Sequence, residues 1–226
     1  MNIFVKDLFC GKDKKITNSK RKEFNSSYQK KLLNNSSYAI SHTGFILDEQ
    51  SDKENHGGED KAICAYSFDY YQYLENTYNI SLPMCAFGEN LSLQGVSDGE
   101  ICLGDRFAYG EVTLEVSQPR QPCWKISTIV GIKNLTSIVV KEFKTGFYFR
   151  VIKSGEVTPK DTLELLSRDY PKFTIEYINK IAYNAKDNQE NIKEVLKCPK
   201  LADAYRVSIT KRYKDKQSGL QDWQID

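Results

Sequence analysis

The chain has 226 residues, a formal net charge of +2 and a hydrophobic content of 40%. This length suits one large domain or one domain with a small appendage, and the nearly balanced charge gives no reason to expect a nucleic-acid or membrane partner. No apolar run reaches the roughly 18 residues of a transmembrane helix, and the apolar start is interrupted by Lys6 and Asp7, so neither a membrane span nor a signal peptide is predicted.

Cysteine usage and the distribution of charge refine this expectation. The six cysteines include no Cys-x-x-Cys pair, which favours a reduced, cytoplasmic protein. Residues 1–35 carry nine basic residues against three acidic ones. We interpret this segment as a solvated basic loop or, alternatively, as a contact for an anionic ligand or a redox partner.

The N-terminal part of the chain predicts two strands, a long polar segment between them and then a helix. The first strand is predicted over Ile3 to Phe9 and the second over Tyr38 to Phe45. Residues 12–37 are rich in Lys, Asn and Ser and are predicted to form a long excursion. Ser67 is a candidate N-cap for a helix that runs to about Tyr78.

The first candidate ligand loop is His56-Gly57-Gly58. Two successive glycines let backbone amides approach an anion closely, and a histidine beside them can donate to a phosphate or an oxo group. A plain turn that carries a structural histidine explains the same residues, so the pattern alone leaves both interpretations open.

The second candidate loop is Phe87-Gly88-Glu89-Asn90, which lies between two apolar segments. The amide of Asn90 can both donate and accept hydrogen bonds, as a ligand-facing residue would. The alternative interpretation is a turn with a polar corner.

Residues 112–125 place a single thiol after the end of a predicted strand. Apolar and polar residues alternate from 112 to 117, which predicts the strand. Pro119 and Pro122 are predicted to end it, because proline fixes φ and has no N–H to donate. Cys123 follows the second proline directly.

Arg120 lies between the two prolines, close to Cys123 in the sequence. A nearby guanidinium favours the thiolate, which is the form of cysteine that attacks a substrate or binds a metal. The alternative is that Cys123 is a small buried hydrophobic residue beside Trp124.

The middle of the chain predicts a mainly β body. Short apolar runs separated by Gly, Asn and Asp include a strand over Phe147–Ile152, and a helix is predicted over Leu135–Phe143 with Asn134 as its cap. The sequence contains no recognisable parallel β-α-β rhythm and no glycine-rich nucleotide motif. A barrel-like body covered by one or two helices is therefore expected, rather than a nucleotide-binding fold.

The pattern of the chain changes after Pro171, where three short amphipathic helices are predicted. Asp187 and Glu190 are predicted to form a capping box for the second of them. The tail from Gln217 is predicted to fray. These helices are expected to pack against the β-rich body or a second subunit.

The predicted fold is therefore mixed and mainly β, with two domains. Residues 1–165 are predicted to form the β-barrel-like domain with its covering helices, and residues 166–226 a small C-terminal three-helix bundle.

Three motifs resemble those of MOSC-domain proteins, and they occur in the same order and spacing. They are Asn55–Ala62, which resembles a His-Gly-Gly motif, Phe87–Leu91, which resembles an FGENL motif, and Ser117–Cys123, which resembles the segment around the cysteine of that family. Ser26 and Lys30 also resemble a Ser-x-x-x-Lys element. The family usually shows Gly-Asp where this chain has Leu47-Asp48. The resemblance extends to the C-terminal helices in YiiM-type members, which are reductases of N-hydroxylated purines and related compounds.

This resemblance implies a molybdenum cofactor (molybdopterin) and an oxidoreductase that needs no pyridoxal phosphate. It implies that Cys123 is the metal ligand and a catalytic residue, and that His56 or Glu89 relays a proton. The residues implied to bind the cofactor are His56, Gly57, Gly58, Asn90, Arg120, Ser26 and Lys30. The implied partners are an N-hydroxylated small-molecule substrate and a separate flavin- or NAD(P)H-dependent reductase, and a homodimer is left open.

Two alternatives use the same cysteine. The first is a molybdenum-cofactor or sulfur carrier without turnover of its own, which a test of turnover against cofactor retention would distinguish. The second is a cysteine hydrolase that pairs Cys123 with His56, which requires the two side chains to lie within hydrogen-bonding reach.

Overall fold

The computed structural model describes residues 1–17, 23–34, 37–50 and 57–225, so His56 lies outside the described residues. The strands within these ranges are β1 (Asn2–Cys10), β2 (Lys14–Thr17), β3 (Glu23–Ser26), β4 (Lys31–Leu32), β5 (Tyr38–Ser41), β6 (Gly44–Phe45), β7 (Ile63–Ser67), β8 (Leu91–Gln94), β9 (Arg106–Tyr109), β10 (Val112–Pro119), β11 (Phe147–Lys153), β12 (Gly155–Val157) and β13 (Thr162–Ser167). The α-helices are α1 (Asp69–Tyr78), α2 (Lys125–Val130), α3 (Leu135–Lys141), α4 (Ile175–Tyr183), α5 (Gln189–Leu196) and α6 (Asp203–Asp215). Short 3₁₀ turns lie at Glu59–Lys61, Ala185–Asp187 and Asp222–Gln224.

Seven of the described strands close into a barrel, in the order β13, β9, β10, β11, β7, β8 and β1. The barrel closes because β1 also pairs with β13, with Ile3 opposite Leu163. The interior is filled by the inward side chains of every strand, among them Val5, Leu114 and Phe149, which have no exposed surface. Burial of each such side chain stabilises the fold by about 1.5–3 kcal/mol. The predicted fold class, mixed and mainly β with a barrel-like body, is confirmed.

One pair of neighbouring strands in the barrel is parallel. β7 and β8 run in the same direction, with Ala65 opposite Leu91, and α1 lies between them in the sequence. The expectation that the chain contains no parallel β-α-β unit is therefore wrong. All five residues of β7 are buried, so its sequence lacks the alternation that marks a strand with one solvated face.

The start of α1 also differs from the prediction. Ser67 is the last residue of β7, and its hydroxyl donates to the Val96 carbonyl oxygen across 2.6 Å. The helix begins at Asp69 after Phe68, without a side-chain cap. Ser67 does not cap the helix because its hydroxyl is already used by the barrel.

The predicted excursion over residues 12–37 contains a hairpin of its own. β2 pairs with β3, and β4 pairs with the end of β1. Phe24 in β3 packs edge-on against Trp124, with 5.0 Å between the ring centroids. This contact fixes the hairpin close to the segment that carries Cys123.

The predicted strand over Tyr38–Phe45 is two strands, β5 and β6, which pair with each other, and β5 also pairs with β12. The predicted helix after Asn134 is α3, which ends at Lys141. Asn134 adopts a left-handed conformation and makes no side-chain cap. A further helix, α2, begins directly after Trp124 and was not predicted.

The three C-terminal helices form a second apolar cluster that is docked on the barrel. Ile178, Ile192 and Tyr205 of the three helices pack together with Leu103 of the body. Asn179 in α4 donates to the Thr145 hydroxyl across 2.7 Å, which ties the cluster to the segment before β11. The expectation of a docked three-helix segment agrees with these contacts, whereas the division into domains at residue 165 stays a prediction.

Two local expectations for this segment are wrong. Asp187 belongs to a 3₁₀ turn, and α5 follows Asn188 without a side-chain cap, so the predicted capping box is absent. The described tail is folded rather than frayed, because Gln224 has no exposed surface and hydrogen-bonds to the body of the protein. Every helix in the described part of the chain is too short or too polar to cross a membrane.

Candidate functional site

A pocket that is partly open to solvent lies against the outward side of β7 and β11. Cys64 and Tyr148 are register partners on these strands and face away from the barrel interior. The residues that line the pocket are Asn25, Ser26, Ser27, Tyr28, Lys30, Asp48, Glu49, Gln50, Lys61, Ala62, Cys64, Gly88, Asn90, Arg120, Gln121, Cys123, Lys125 and Tyr148. Five residues implied by the family resemblance are therefore brought together, namely Ser26, Lys30, Asn90, Arg120 and Cys123.

Cys123 differs from the other five cysteines, which are all buried, because its side chain is partly accessible from the pocket. Its carbonyl oxygen accepts hydrogen bonds from the Thr136 hydroxyl at 2.9 Å and from the Ile126 amide at 3.1 Å. α2 and α3 thus fix the backbone that carries the thiol.

The electrostatic environment of Cys123 differs from the sequence-based expectation. Burial raises the pKa of the Cys123 thiol, although a backbone hydrogen bond from Lys125 and the charge of Arg120 act in the opposite direction. The charge of Arg120 thus favours the thiolate, as predicted, but in the protein alone burial outweighs it. A cation that binds the sulfur would supply the missing stabilisation of the thiolate.

Arg120 is almost completely buried at the wall of the pocket. Its backbone amide donates to the Gly146 carbonyl oxygen across 2.9 Å, which fixes the loop to the start of β11. One terminal nitrogen of its guanidinium, Nη1, has no hydrogen-bond partner among the described residues. Because a buried charged donor without a partner is costly, this atom indicates a place for an anionic ligand.

Lys30, Asp48 and Asn90 form one hydrogen-bonded group in the pocket. The Lys30 ammonium and the Asn90 amide both donate to Asp48 Oδ2 across 2.8 Å. Asn90 also donates to the Phe9 carbonyl oxygen and accepts from the Cys64 amide. Both N–H groups of Asn90 and its oxygen are thus engaged within the protein, so its geometry favours a role in holding the pocket wall.

The opposite wall is formed by the segment after β3. Ser26 accepts a hydrogen bond from the Tyr28 amide, and the Tyr28 hydroxyl donates to the Ala86 carbonyl oxygen. The Tyr28 ring packs against Gly88, whose φ is +63°. A side chain would not fit at this position, because an added Cβ would lie 2.8 Å from the ring. Gly88 thereby permits the tyrosine to close this side of the pocket.

The glycine pair lies next to the pocket rather than in its described wall. The Gly58 amide donates to Gln50 Oε1 across 3.2 Å, and the 3₁₀ turn that follows leads to Lys61 in the wall. Arg150 holds this turn through Asp60, with 2.7 Å between the two side chains. The roles implied for Gly57 and Gly58 stay predictions, as does that of His56, which lies outside the described residues.

Glu89 lies beneath the pocket and has no exposed surface. Its carboxyl group accepts hydrogen bonds from the Tyr71 hydroxyl at 2.6 Å and from the Phe87 amide at 3.3 Å. Burial raises the pKa of this carboxyl group. The structure therefore does not bring Glu89 to the pocket surface, and its implied role in proton transfer stays a prediction.

The sequence profile of the MOSC domain matches residues 52–164, which include the glycine pair and the cysteine segment. The chain belongs to the MOSC-domain family. It is 39% identical over 168 residues to the uncharacterized protein YflK of Bacillus subtilis, a match that covers 74% of this chain and 76% of YflK. It is 34% identical over 143 residues to a protein of Gibberella moniliformis named reductase, covering 62% of this chain and 25% of that protein.

A solved structure shows the same MOSC fold with its C-terminal extension. The crystal structure of YiiM from Geobacillus stearothermophilus matches with a TM-score of 0.78 and 32% sequence identity, covering 93% of this chain and 99% of that one. The chain is therefore a YiiM-type MOSC protein, as the three sequence motifs indicated.

The donor groups of this MOSC pocket suit a metal that is bound within a larger anionic group. Among the described residues, no cluster of three or more His, Cys, Asp and Glu side chains is suited to a bare metal ion. The pocket instead offers one soft thiol, on Cys123, and one unpartnered guanidinium nitrogen, on Arg120. A molybdenum cofactor, whose metal carries sulfur ligands and whose pterin carries a phosphate, fits this pair of donors.

Sequence reasoning missed Asp48 and Tyr148 as pocket residues. The signal for Asp48 was present, because Leu47-Asp48 occupies the place of the Gly-Asp usual in the family. Tyr148 could have been found from strand register, since it alternates with Phe147 and Phe149, both of which face the barrel core.

Proposed function

We propose that this protein is a molybdenum-cofactor-dependent reductase that removes oxygen from N-hydroxylated bases and related compounds. The observation that carries the proposal is the presence of Cys123 and the unpartnered Nη1 of Arg120 in one pocket. Membership of the MOSC family and the name of the fungal relative, reductase, support it.

The residues of the pocket divide into two groups in this proposal. The Cys123 thiolate binds the metal, and Arg120 binds the anionic end of the pterin, since a guanidinium can make two parallel hydrogen bonds to a phosphate. Gly57 and Gly58 supply backbone amides, and His56, Ser26 and Lys30 supply further donors. When bound, the cofactor would supply the two-electron redox chemistry that removal of the oxygen requires.

Protons for the reaction come from side chains of the pocket. Reduction of an N-hydroxyl group to an amine consumes two electrons and two protons and releases one water molecule. Lys30 lies in the pocket wall and is hydrogen-bonded to Asp48, so it is placed to deliver a proton to the leaving oxygen. His56 remains a candidate for the same role, whereas Glu89 would need an intermediary to reach the pocket.

Electrons reach the pocket from a separate flavin- or NAD(P)H-dependent reductase. The sequence contains no glycine-rich nucleotide motif and no ferredoxin-type run of cysteines. The basic residues of the segment 1–35 are the proposed contact for this partner, and a homodimer remains compatible with the proposal.

Turnover by protein purified from a host that makes the cofactor tests this function. The protein is supplied with a chemical reductant and an N-hydroxylated purine, and the amine product is measured. We expect product from the wild type and from Cys198→Ser, whose cysteine is buried in the three-helix cluster, but none from Cys123→Ala. Equal product from Cys123→Ala and the wild type would contradict the proposal.

The same experiment tests the carrier alternative, whereas the pKa of Cys123 bears on the hydrolase alternative. A cofactor-loaded wild type that turns over none of a range of N-hydroxylated compounds would favour a carrier or binding protein. The cysteine-hydrolase alternative is disfavoured by the raised pKa of the Cys123 thiol, because nucleophilic cysteines depend on a lowered pKa.

A further inference from the structure

The loop that carries Cys123 is held by hydrogen bonds from two sides, namely from the barrel with its covering helices and from the C-terminal segment. Arg120 is anchored through its amide to Gly146, and Cys123 through its carbonyl oxygen to the Thr136 hydroxyl. These two anchors fix the ends of the loop but leave the peptide before Cys123 unsupported.

Two further hydrogen bonds come from the C-terminal segment. Gln121 Nε2 donates to the Ser208 hydroxyl of α6 across 2.8 Å. Gln224 Nε2 donates to the Pro122 carbonyl oxygen across 2.8 Å, although the two residues are 102 positions apart in the sequence. Both partners lie beyond residues 52–164, which the MOSC profile covers.

The amide group of Gln224 is fixed on all sides. Its oxygen accepts from Arg212 Nη2 at 3.2 Å and from the Gln221 amide at 3.1 Å, and its nitrogen also donates to the Tyr183 hydroxyl at 3.0 Å. Gln224 has no exposed surface, and Arg212 is 1% exposed. Burial of polar groups is costly unless each is paired, so the full pairing gives the Gln224 amide one well-defined position.

The arrangement of Arg212 adds to this rigidity. Arg212 Nη1 donates to the Gly219 carbonyl oxygen across 2.8 Å, and the guanidinium carbon lies 4.6 Å from the centre of the Tyr183 ring. The guanidinium thus connects α6, α4 and the last turn of the chain. Gln224 is therefore a stiff support rather than a mobile surface side chain.

The Pro122 carbonyl oxygen is an effective point at which to orient the thiol. It belongs to the planar peptide group that also contains the Cys123 nitrogen, so a donor on this oxygen fixes the plane from which the Cys123 side chain projects. The ring of Pro122 already restricts its own φ, which leaves the rotation of this peptide plane as the main remaining freedom before Cys123.

We propose that Gln224 is a positioning residue for Cys123, and that the C-terminal turn directs the thiol into the pocket through the Pro122 carbonyl oxygen. This inference rests on the proposed function only in taking Cys123 as the functional group of the pocket. It assigns the C-terminal helices a part in the site, in addition to their part in stability.

Alkylation of Cys123 by iodoacetamide, followed by mass spectrometry of the cysteine peptide over a range of pH, tests the proposal without any cofactor. The test variant Gln224→Glu keeps the acceptor for Arg212 but removes the donor to Pro122. Gln224→Met keeps the side-chain volume but removes both the acceptor for Arg212 and the donor to Pro122. The control is Ile225→Ala, which changes an exposed neighbouring residue.

We expect alkylation of Cys123 to be about tenfold faster in the Gln224 variants than in the wild type or the control, with a lower midpoint pH. The reason is that a released loop exposes the thiol and removes part of the burial that raises its pKa. An unchanged rate and midpoint in a folded Gln224 variant would overturn the proposal. Loss of folding in both variants would also overturn it, because Gln224 would then be a purely structural residue. A failed turnover assay leaves this result intact, so the two proposals fail separately.

Discussion

Lys30 donates a hydrogen bond to Asp48 across 2.8 Å in the pocket wall, and the two side chains are 7% and 11% exposed. Asp48 Oδ1 accepts from the Gly11 amide at 2.6 Å, so the pair links β1 to the segment after β3. Removal of one partner of such an enclosed pair leaves the other charge uncompensated, whereas removal of both does not.

The Lys30–Asp48 pair is expected to show strong energetic coupling. Lys30→Met alone is expected to lower the free energy of unfolding by about 3 kcal/mol, and addition of Asp48→Asn to recover part of that loss. Chemical denaturation of the single and double variants measures the coupling. The exposed pair Lys12–Glu49 is the control and is expected to show coupling close to zero. Strictly additive effects at Lys30 and Asp48 would contradict this view of the pair.

Arg120→Lys is expected to retain about tenfold less pterin than the wild type after purification from a cofactor-producing host, because lysine cannot make the paired hydrogen bonds of a guanidinium. Fluorescence of the oxidised pterin released from each protein gives the measurement. Arg106→Lys is the control, since Arg106 is paired with Glu115 away from the pocket. Equal pterin content in the two variants would exclude Arg120 from cofactor binding.

Gly88→Ala is expected to destabilise the protein by about 1–3 kcal/mol more than Gly95→Ala. Both glycines have positive φ values, +63° and +75°, so both substitutions introduce backbone strain. An added Cβ meets the Tyr28 ring at 2.8 Å in the first case and no atom within 4 Å in the second. Denaturant unfolding of the two variants isolates the contact with Tyr28, and equal losses of stability would show that the ring moves aside freely.

Asp98 is expected to make the stability of the protein fall as the pH rises from about 4 to about 7. Burial raises the pKa of this carboxyl group from 3.8 to about 7, although the Gly146 and Thr145 amides donate to it. The raised pKa means that the folded state favours the protonated carboxyl group. The stabilisation from Asp98 is therefore complete below the pKa that this group has in the unfolded chain, and it is lost as the pH rises through the pKa that it has in the folded protein. The loss is on the order of 4 kcal/mol.

Unfolding experiments at several pH values on Asp98→Asn measure this contribution. The variant is expected to lose most of the pH dependence and to be more stable than the wild type above pH 7, because its amide carries no charge. Asp203→Asn, which changes an almost fully exposed carboxyl group, is the control and is expected to follow the wild type. Parallel curves for the wild type and Asp98→Asn would show that the carboxyl group titrates normally.

Several features of this protein could be predicted because their signals are local. The alternation over residues 112–117 and the two prolines predicted the strand before Cys123 and its end, and short apolar runs predicted the barrel. The motif resemblance predicted that Ser26, Lys30 and Arg120 line one pocket. Their positions in the sequence alone give no reason to expect that they lie close together.

Other features have no local signal. The hydrogen bonds of Gln121 and Gln224 join residues 87 and 102 positions apart, so a tail that sequence alone predicts to fray is in fact part of the support for Cys123. The pKa of Cys123 is raised by burial, which depends on pocket residues that are distant in the sequence. The opposing effect of Arg120 could be predicted, because Arg120 is close to Cys123 in the sequence. The parallel pairing of β7 with β8 was missed because both strands are short and largely buried.

The most direct test of the central claim is molybdenum K-edge X-ray absorption of the cofactor-loaded protein, compared with the Cys123→Ser variant. Serine retains an oxygen donor, so the variant is expected to keep measurable metal while its sulfur ligand is lost. We predict one more sulfur ligand at molybdenum in the wild type than in Cys123→Ser, with Cys64→Ser indistinguishable from the wild type. The same number of sulfur ligands in the wild type and in Cys123→Ser would contradict the assignment of Cys123 as the metal ligand.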